Sequence, residues 1–395
     1  MQLEEEVPMY QSLRADQILP PDGAAFLVGR VWSNEANGPC PVWLDAGILY
    51  DLTTLAPTMT RLLELQNFTP ADAATCPPLG PLEEFLGDGT GIAGPAGRLL
   101  APCDLQAVKA AGVTFVASML ERVIEERAGG NPALAESLRR SLLPLVGGDL
   151  SHVRPGSEEA ARVKATLQEK GLWSQYLEVG IGPDAEIFTK AQPMSSVGCG
   201  AEIGIHPRSS WNNPEPEIAL AINSRGEIRG ATLANDVNLR DFEGRSALLL
   251  GKAKDNNASC AIGPFIRLFD DRFTLKDVER CEVTLDIEGP EGHVLNAASR
   301  MSQISRSPAD LVAQTLNPNH QYPDGLMLLL GTMFAPIQDR HDPGQGFTHE
   351  IGDRVTISTP HLGTLINWVT YSDKAPPWTF GVSALMANLA HRGVL

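Results

Sequence analysis

The chain has 395 residues, 43% hydrophobic and 20% charged, enough to bury one large core or two. Its 31 Lys and Arg against 48 Asp and Glu leave a formal charge of −17, a field that repels phosphate backbones and anionic membrane surfaces and excludes them as natural partners. An anionic small molecule would need a metal ion or a few inward-facing basic groups to bind against that field.

In chain order, the opening "MQLEEEVPMY" is acidic where a signal peptide would be basic and then apolar. The longest apolar stretch, around "GLMLLLGTMFA", is too short to span a bilayer. Six cysteines, Cys40, Cys76, Cys103, Cys199, Cys260 and Cys281, are scattered with no C-x-x-C pair and read as free thiols of a cytoplasmic protein. Residues 1–100 alternate short apolar runs ("AAFLVGRVW", "PVWLDAGILYDLT") with Gly and Pro turns and end in the loop-rich "CPPLGPLEEFLGDGTGIAGPAG", the pattern of a small strand-rich N-terminal domain and linker. Residues 101–395 form the expected catalytic domain. Helical spacing over Val116–Arg127 stops at Gly129 and Gly130, and further helices are expected at Ala133–Val146 and, with Ser157 as N-cap, Ser157–Lys170. From Tyr176 onward short strand-like runs dominate, among them "EIFTKA", "EIALAIN", "EIRGATLAN", "CEVTLDIEG", "RVTISTP" and "GTLINWVT", with one helix near Pro308–Leu316. No regular βαβ alternation is present, so the fold class is α+β with a β-rich core and not a doubly wound sheet.

Within this region "EPEIALAI" places Glu215 and Glu217 two residues apart, on one face of a strand. The turn "NSRGE" folds the next strand back and brings Asp236, at its far end, near Glu215. Three carboxylates in one small volume stay ionised only if a cation or protons offset their repulsion. Three hard oxygen ligands suit Mg²⁺, with Mn²⁺ as the alternative. The E-x-E spacing alone serves equally well for the solvent face of an edge strand. Basic groups follow at Arg240, Arg245, Lys252 and Lys254. A lysine beside a divalent cation loses part of its preference for the charged form and can act as a base or pair with a substrate carboxylate, while each of these lysines is also accounted for as a solvated charge.

Taken together, Glu215 and Glu217, then "NDVNLRD" with Asp236 and Arg240, then Lys254 nine residues before the Gly-Pro at Gly263, resemble the pattern of the fumarylacetoacetate hydrolase superfamily. "EIFTKAQPMSSVGCGAEI" with Lys190, and "GTMFAP" with Thr332 followed by "IGDRVTISTPHLGTLINWV", extend the resemblance over roughly Leu105 to the C-terminus. It implies a mixed, rolled β-sheet around a divalent metal, usually Mg²⁺, in a homodimer or homotetramer, with a 2-oxo acid chelating that metal.

Hydrolases of the superfamily carry a motif like G-x-N-Y-x-x-H-x-x-E, whose His activates water. The corresponding stretch is "GVTFVASMLE", where Ser118 stands in place of the His and Glu121 keeps its position. A serine without a partner is no general base at neutral pH, so carbon–carbon hydrolysis loses its water activator. With "SMLERVIEE", "SSWNNPEPEIA" and "MSQISRSP", the chain resembles the sugar-acid dehydratase branch, which implies conversion of 2-keto-3-deoxy-D-pentonate (xylonate or arabinonate) to 2,5-dioxopentanoate. On that resemblance Glu215, Glu217 and Asp236 hold the metal, Lys254 removes the C3 proton, and Glu121 delivers a proton to the leaving hydroxyl, with the last two roles exchangeable. Ser118, Lys190, Arg240 and Thr332 bind substrate oxygens. The competing expectation is an acylpyruvate or 2,4-diketo acid hydrolase in which Glu121 alone activates water.

Overall fold

A computed structural model describes residues 12–395 apart from 88–92, 147–152, 170, 172, 333, 335–337, 342 and 344. The acidic N-terminal stretch, part of the expected linker, Lys170 and much of "GTMFAP" therefore lie outside the described residues.

The β-branched and aromatic runs form strands β1 (Leu27–Ser33), β2 (Gly38–Asp45), β3 (Ile48–Asp51), β4 (Pro78–Pro81), β5 (Gly97–Leu100), β6 (Ala107–Gly112), β7 (Glu186–Ala191), β8 (Glu202–Ile205) and β9 (Asn212–Asn213). They continue with β10 (Pro216–Ile222), β11 (Ile228–Asp236), β12 (Asn238–Leu239), β13 (Cys260–Leu268), β14 (Glu282–Glu288), β15 (Val294–Arg300), β16 (Leu326–Leu329), β17 (Arg354–Thr359) and β18 (Gly363–Tyr371). One large mixed sheet runs β4-β3-β2-β1-β13-β11-β10-β16-β6-β7, with β5 also paired to β1. A second sheet has the order β15-β14-β17-β18-β8, and β9 and β12 form a short two-stranded pair. Among the described strand pairs β16–β6 and β18–β8 are parallel and the others antiparallel. The α+β expectation holds. The first strands do not form a sheet of their own, because β1 hydrogen-bonds to β13 as well as to β2.

The central hairpin explains how the site is carried. Asn223 and Gly226, the latter at φ 80°, close the turn between β10 and β11, where a side chain would strain the backbone. Every residue of β10 is buried, so this strand cannot alternate between core and water. Ile218, Leu220 and Ile222 pack toward the second sheet with Leu285, Ile287 and Ile357, each contributing on the order of 1.5–3 kcal/mol by burial. The opposite face carries the small Ala219 and Ala221, paired across the sheet with Leu329 and Met327 of β16 and clustered with Ala234 of β11. Those small side chains share their face with Glu217, and the hairpin's open end lies at Glu215 and Asp236.

The helices come close to expectation at Val116–Ala128, Pro132–Val146, Glu158–Glu169 and Pro308–Thr315. The first ends at Gly129 in the left-handed conformation, and Ser157 Oγ accepts from the Ala160 N–H at 3.1 Å, as a cap does. The expectation of a single helix after Tyr176 is corrected: Gln175–Ile181 and Val382–His391 are helical too, and short helical turns carry Arg240–Glu243 and Leu250–Lys254. These turns are too short to show helical periodicity, yet they deliver two basic groups to the site.

Candidate active site

Across the β10–β11 hairpin the Asp236 N–H donates to the Glu215 carbonyl at 3.0 Å, which sets the two residues opposite each other. Glu217 projects on the same side. One oxygen from each of Glu215, Glu217 and Asp236 lies within 4.8 Å of the others, and all three residues are buried. Around an octahedral Mg²⁺ with bonds of 2.0–2.1 Å, neighbouring oxygens are about 2.9 Å and opposite ones about 4.2 Å apart. Three converging carboxylates offer an all-oxygen donor set, which fits a hard cation.

The charge around them is uneven. Burial, and then the charges of Asp236 and Glu215, push the Glu217 carboxyl well above the usual range, although Glu217 also accepts from the Gly331 N–H at 2.6 Å. Asp236 goes the other way: burial would raise it, but Lys190 and Lys254 together hold it low. Lys190 Nζ is 2.9 Å from Asp236 Oδ1 and also donates to the Val237 carbonyl at 3.1 Å and to the Lys254 carbonyl. It is fully buried, does not border the open space and supports Asp236 from behind. Lys254 Nζ donates to Glu215 at 2.5 Å and to Asp236 at 3.0 Å. Burial alone would lower its pKa, but Asp236, Glu215 and Glu243 outweigh that and raise it. In this arrangement Lys254 is itself the counter-ion of the cluster.

The helix Val116–Ala128 brings a second set of charges over the carboxylates. Glu121 accepts from Arg139 through both oxygens, at 2.8 and 2.7 Å, and lies 3.7 Å from Arg240. Arg240 is stacked on Trp211, 4.1 Å from the ring centroid, and grips Glu125 at 2.7 and 2.6 Å. Ser118 Oγ donates to the Phe115 carbonyl at 2.9 Å, and Thr332 Oγ1 accepts from the Phe334 N–H at 3.0 Å. Glu121, Ser118, Arg240, Thr332 and Lys254 all border the same space as the three carboxylates. Of the expected site residues, Lys190 alone is set back behind it.

Sequence reasoning missed four charged residues that border this space, Arg122, Glu125, Glu186 and Glu243. Glu125 stands one helical turn from Glu121, and Glu243 ends the short helix that begins at Arg240. Glu186 is the most informative. It shares one face of β7 with Phe188 and Lys190, an alternation that was readable in "EIFTKA". Burial, followed by the charge of Glu243, pushes its carboxyl up to about 7. Glu186 Oε2 rests against Gly112, where a Cβ would come within 2.2 Å of it. Asn213 also faces the space, and its buried Oδ1 has no hydrogen-bond partner among the described residues.

The fumarylacetoacetate (FAA) hydrolase C-terminal family model matches residues 164–370, just over half of the chain. The chain belongs to the fumarylacetoacetate hydrolase family. Within it, the chain is 33% identical over 207 residues to a probable 2-keto-3-deoxyxylonate dehydratase of Haloferax volcanii, a match covering 52% of this chain and 68% of that one. It is 35% identical over 181 residues to the 2-dehydro-3-deoxy-D-arabinonate dehydratase of Saccharolobus solfataricus, covering 46% of this chain and 57% of that one. The fold agrees with a solved structure of 2-keto-3-deoxy-D-arabinonate dehydratase complexed with magnesium and 2,5-dioxopentanoate: TM-score 0.57 at 21% identity, over 87% of this chain and 99% of that one. Among the described residues no helix is long and apolar enough to cross a membrane.

Proposed function

We propose that the chain is a magnesium-dependent hydro-lyase that removes water from a 2-keto-3-deoxy-D-pentonate to give 2,5-dioxopentanoate. The observation that carries this reading is the convergence of Glu215, Glu217 and Asp236 with Lys254 and a proton-holding Glu186, at a site where Ser118 replaces the water-activating His. The two dehydratases to which the chain is 33% and 35% identical support it.

When bound, Mg²⁺ would supply the positive charge that polarises the C1 carboxylate and C2 keto oxygens and would relieve the carboxylate charge that Lys254 now bears. Lys254, 2.5–3.0 Å from two of the ligands, is then placed to take the C3 proton next to the polarised ketone. The C4 hydroxyl leaves with a proton, and Glu186 is the better donor. Both oxygens of Glu121 already accept from Arg139, whereas Glu186 is a buried carboxyl that holds a proton near neutrality. Glu121 then acts by holding Arg139 and Arg240 in place. Loss of the C3 proton and the C4 hydroxyl leaves a C3–C4 double bond. Moving a proton from C5 to C3 turns the resulting allylic alcohol into the C4–C5 enol, and transfer of the hydroxyl proton to C4 then gives the aldehyde, so no oxidant is needed. Asn213 Oδ1 and Thr332 Oγ1 can accept from substrate hydroxyls, while Phe188 and Phe334 limit water in the site.

Hydrolysis of an acylpyruvate is not favoured, because Ser118 Oγ is already spent on the Phe115 carbonyl and, among the described residues, no histidine borders the site. A cytoplasmic location and assembly into a homodimer or homotetramer belong to the same proposal; light scattering of the purified chain checks the latter. The decisive assay is purified protein with 2-keto-3-deoxy-D-pentonate, the same acid whether it derives from D-xylonate or D-arabinonate, and with its C4 epimer, each with and without Mg²⁺, followed by mass. Metal-dependent loss of one water is expected, and release of pyruvate from an acylpyruvate without any dehydration would overturn the reading.

A further inference from the structure

Arg122 is the one cation that the helix Val116–Ala128 itself places on a metal-cluster carboxylate. Its Nη2 donates to Glu215 Oε1, and its Nη1 is held by Glu125 at 2.6 Å and Glu243 at 3.0 Å. The other oxygen of Glu215 accepts from Lys254. Glu215 thus carries a cation on each oxygen, one rooted in the sheet region and one in the helix. The two are not equivalent. Lys254 is 3% exposed, bonds two carboxylates and lies over Phe188, 5.5 Å from the ring centroid. Arg122 is 14% exposed and touches the cluster through one nitrogen only.

Arg122, Lys254 and Glu215 border one space. Of the two cations on Glu215, Arg122 is the more open, 14% exposed against 3% for Lys254. An acid that enters beside Glu215 therefore meets the guanidinium before the ammonium. Every partner of Arg122 in the site is a carboxylate, and a guanidinium fork matches carboxylates in shape and charge. Exchanging Glu215 for another carboxylate leaves its charge compensated, which exchange for a hydroxyl would not.

We infer that Arg122 recognises the C1 carboxylate of the substrate: it holds Glu215 before the acid arrives and transfers its Nη2 to the acid once Glu215 is engaged by a cation. Glu125 and Glu243 keep Nη1 anchored through the exchange, so the movement is a pivot of one side chain. The inference rests on the proposed function, because it takes the ligand to be a 2-oxo acid bound beside Glu215. It makes Arg122 both a competitor of the metal and a partner of the acid, two effects of opposite sign on two ligands.

That pair of signs is the test. Calorimetric titrations of the full chain use Mg²⁺ alone and then oxalate, a stable stand-in for a chelating 2-oxo acid, at saturating Mg²⁺. Arg122→Met is expected to bind Mg²⁺ at least as tightly as the unmodified chain and to lose about 10- to 100-fold in oxalate affinity, the range for a lost charged hydrogen bond. Arg122→Lys restores part of the oxalate affinity and serves as the second variant if Arg122→Met does not fold. Oxalate affinity unchanged within about threefold in Arg122→Met overturns the inference, and so does parallel loss of Mg²⁺ and oxalate in either variant, which would make Arg122 only a support for Glu215. A chain that dehydrates the keto-deoxy acid while its Arg122 variants bind oxalate normally refutes this inference alone. A chain that never binds oxalate with Mg²⁺ refutes the functional reading as well.

Discussion

Glu186→Gln isolates one proton. The carboxyl of Glu186 moves from 4.5 to about 7 on folding, mainly because the carboxylate loses its water. Its folded pKa is raised, so its contribution to stability is fully present below the unfolded pKa and is lost as pH rises through the folded value, a window from about pH 4.5 to about 7. At 1.36 kcal/mol per unit, the full loss is roughly 3 kcal/mol, of which about 2–3 kcal/mol falls between pH 5 and pH 8. Glutamine has no proton to lose and keeps a similar shape. Denaturant unfolding of both chains at pH 5 and pH 8, without added metal, reads the difference directly: the unmodified chain should weaken relative to Glu186→Gln by that amount between the two pH values. In the dehydratase assay the unmodified chain should lose turnover above about pH 7 as the proton donor ionises, and Glu186→Gln should be slow at all pH values. Identical pH dependence of stability in the two chains would refute the claim that Glu186 is buried as a neutral acid, and with it the role given to it.

Gly112→Ala aims at the same group from behind. The added Cβ would lie 2.2 Å from Glu186 Oε2, and displacing a catalytic group by about 1 Å costs on the order of 100-fold; kcat should fall while calorimetric Mg²⁺ affinity stays within about threefold. Glu217→Gln and Asp236→Asn should each abolish metal-dependent turnover and weaken Mg²⁺ by more than the roughly 10–100-fold that loss of an outer support costs, with circular dichroism unchanged; retained activity in either removes it from the ligand set. Lys190→Met leaves Asp236 short of one buried counter-ion and should cost about 3–5 kcal/mol in denaturant unfolding, whereas a solvent-facing substrate lysine would cost almost nothing.

The parts of the site that local rules determine were legible in the chain. Glu215 and Glu217 share a face because strand side chains alternate, and Asp236 falls opposite Glu215 because a short turn fixes the hairpin register. Ser118 and Glu121 lie three apart on a helix whose end was marked by Gly129. The parts that depend on distant packing were not. Nothing local says that Lys190 is drawn behind Asp236 while Glu186, four residues earlier on the same face, borders the open space. Nor could spacing show that Arg139, eighteen residues on, would claim both oxygens of Glu121, since that depends on how two helices pack. The sheet was legible as strands but not as a path, because the pairing of β1 with β13 joins segments more than two hundred residues apart.

The charge at the site also explains how so acidic a chain takes an acid. Among the described residues seven acidic and three basic ones border the space, so the pocket shares the acidic excess of the whole chain. A pocket evolved to bind a carboxylate by direct pairing would carry the opposite excess. Once Glu186 keeps its proton, a divalent cation offsets most of what remains, and Lys190 lies directly behind Asp236 to offset more. The acid then meets a site that is close to neutral, with one positive centre between three carboxylates and one guanidinium able to turn toward it. In this arrangement the metal is a condition for binding the substrate as well as for activating it. Without Mg²⁺, oxalate should therefore show no measurable affinity even in the unmodified chain, and metal-independent oxalate binding would mean that the basic residues alone hold the acid.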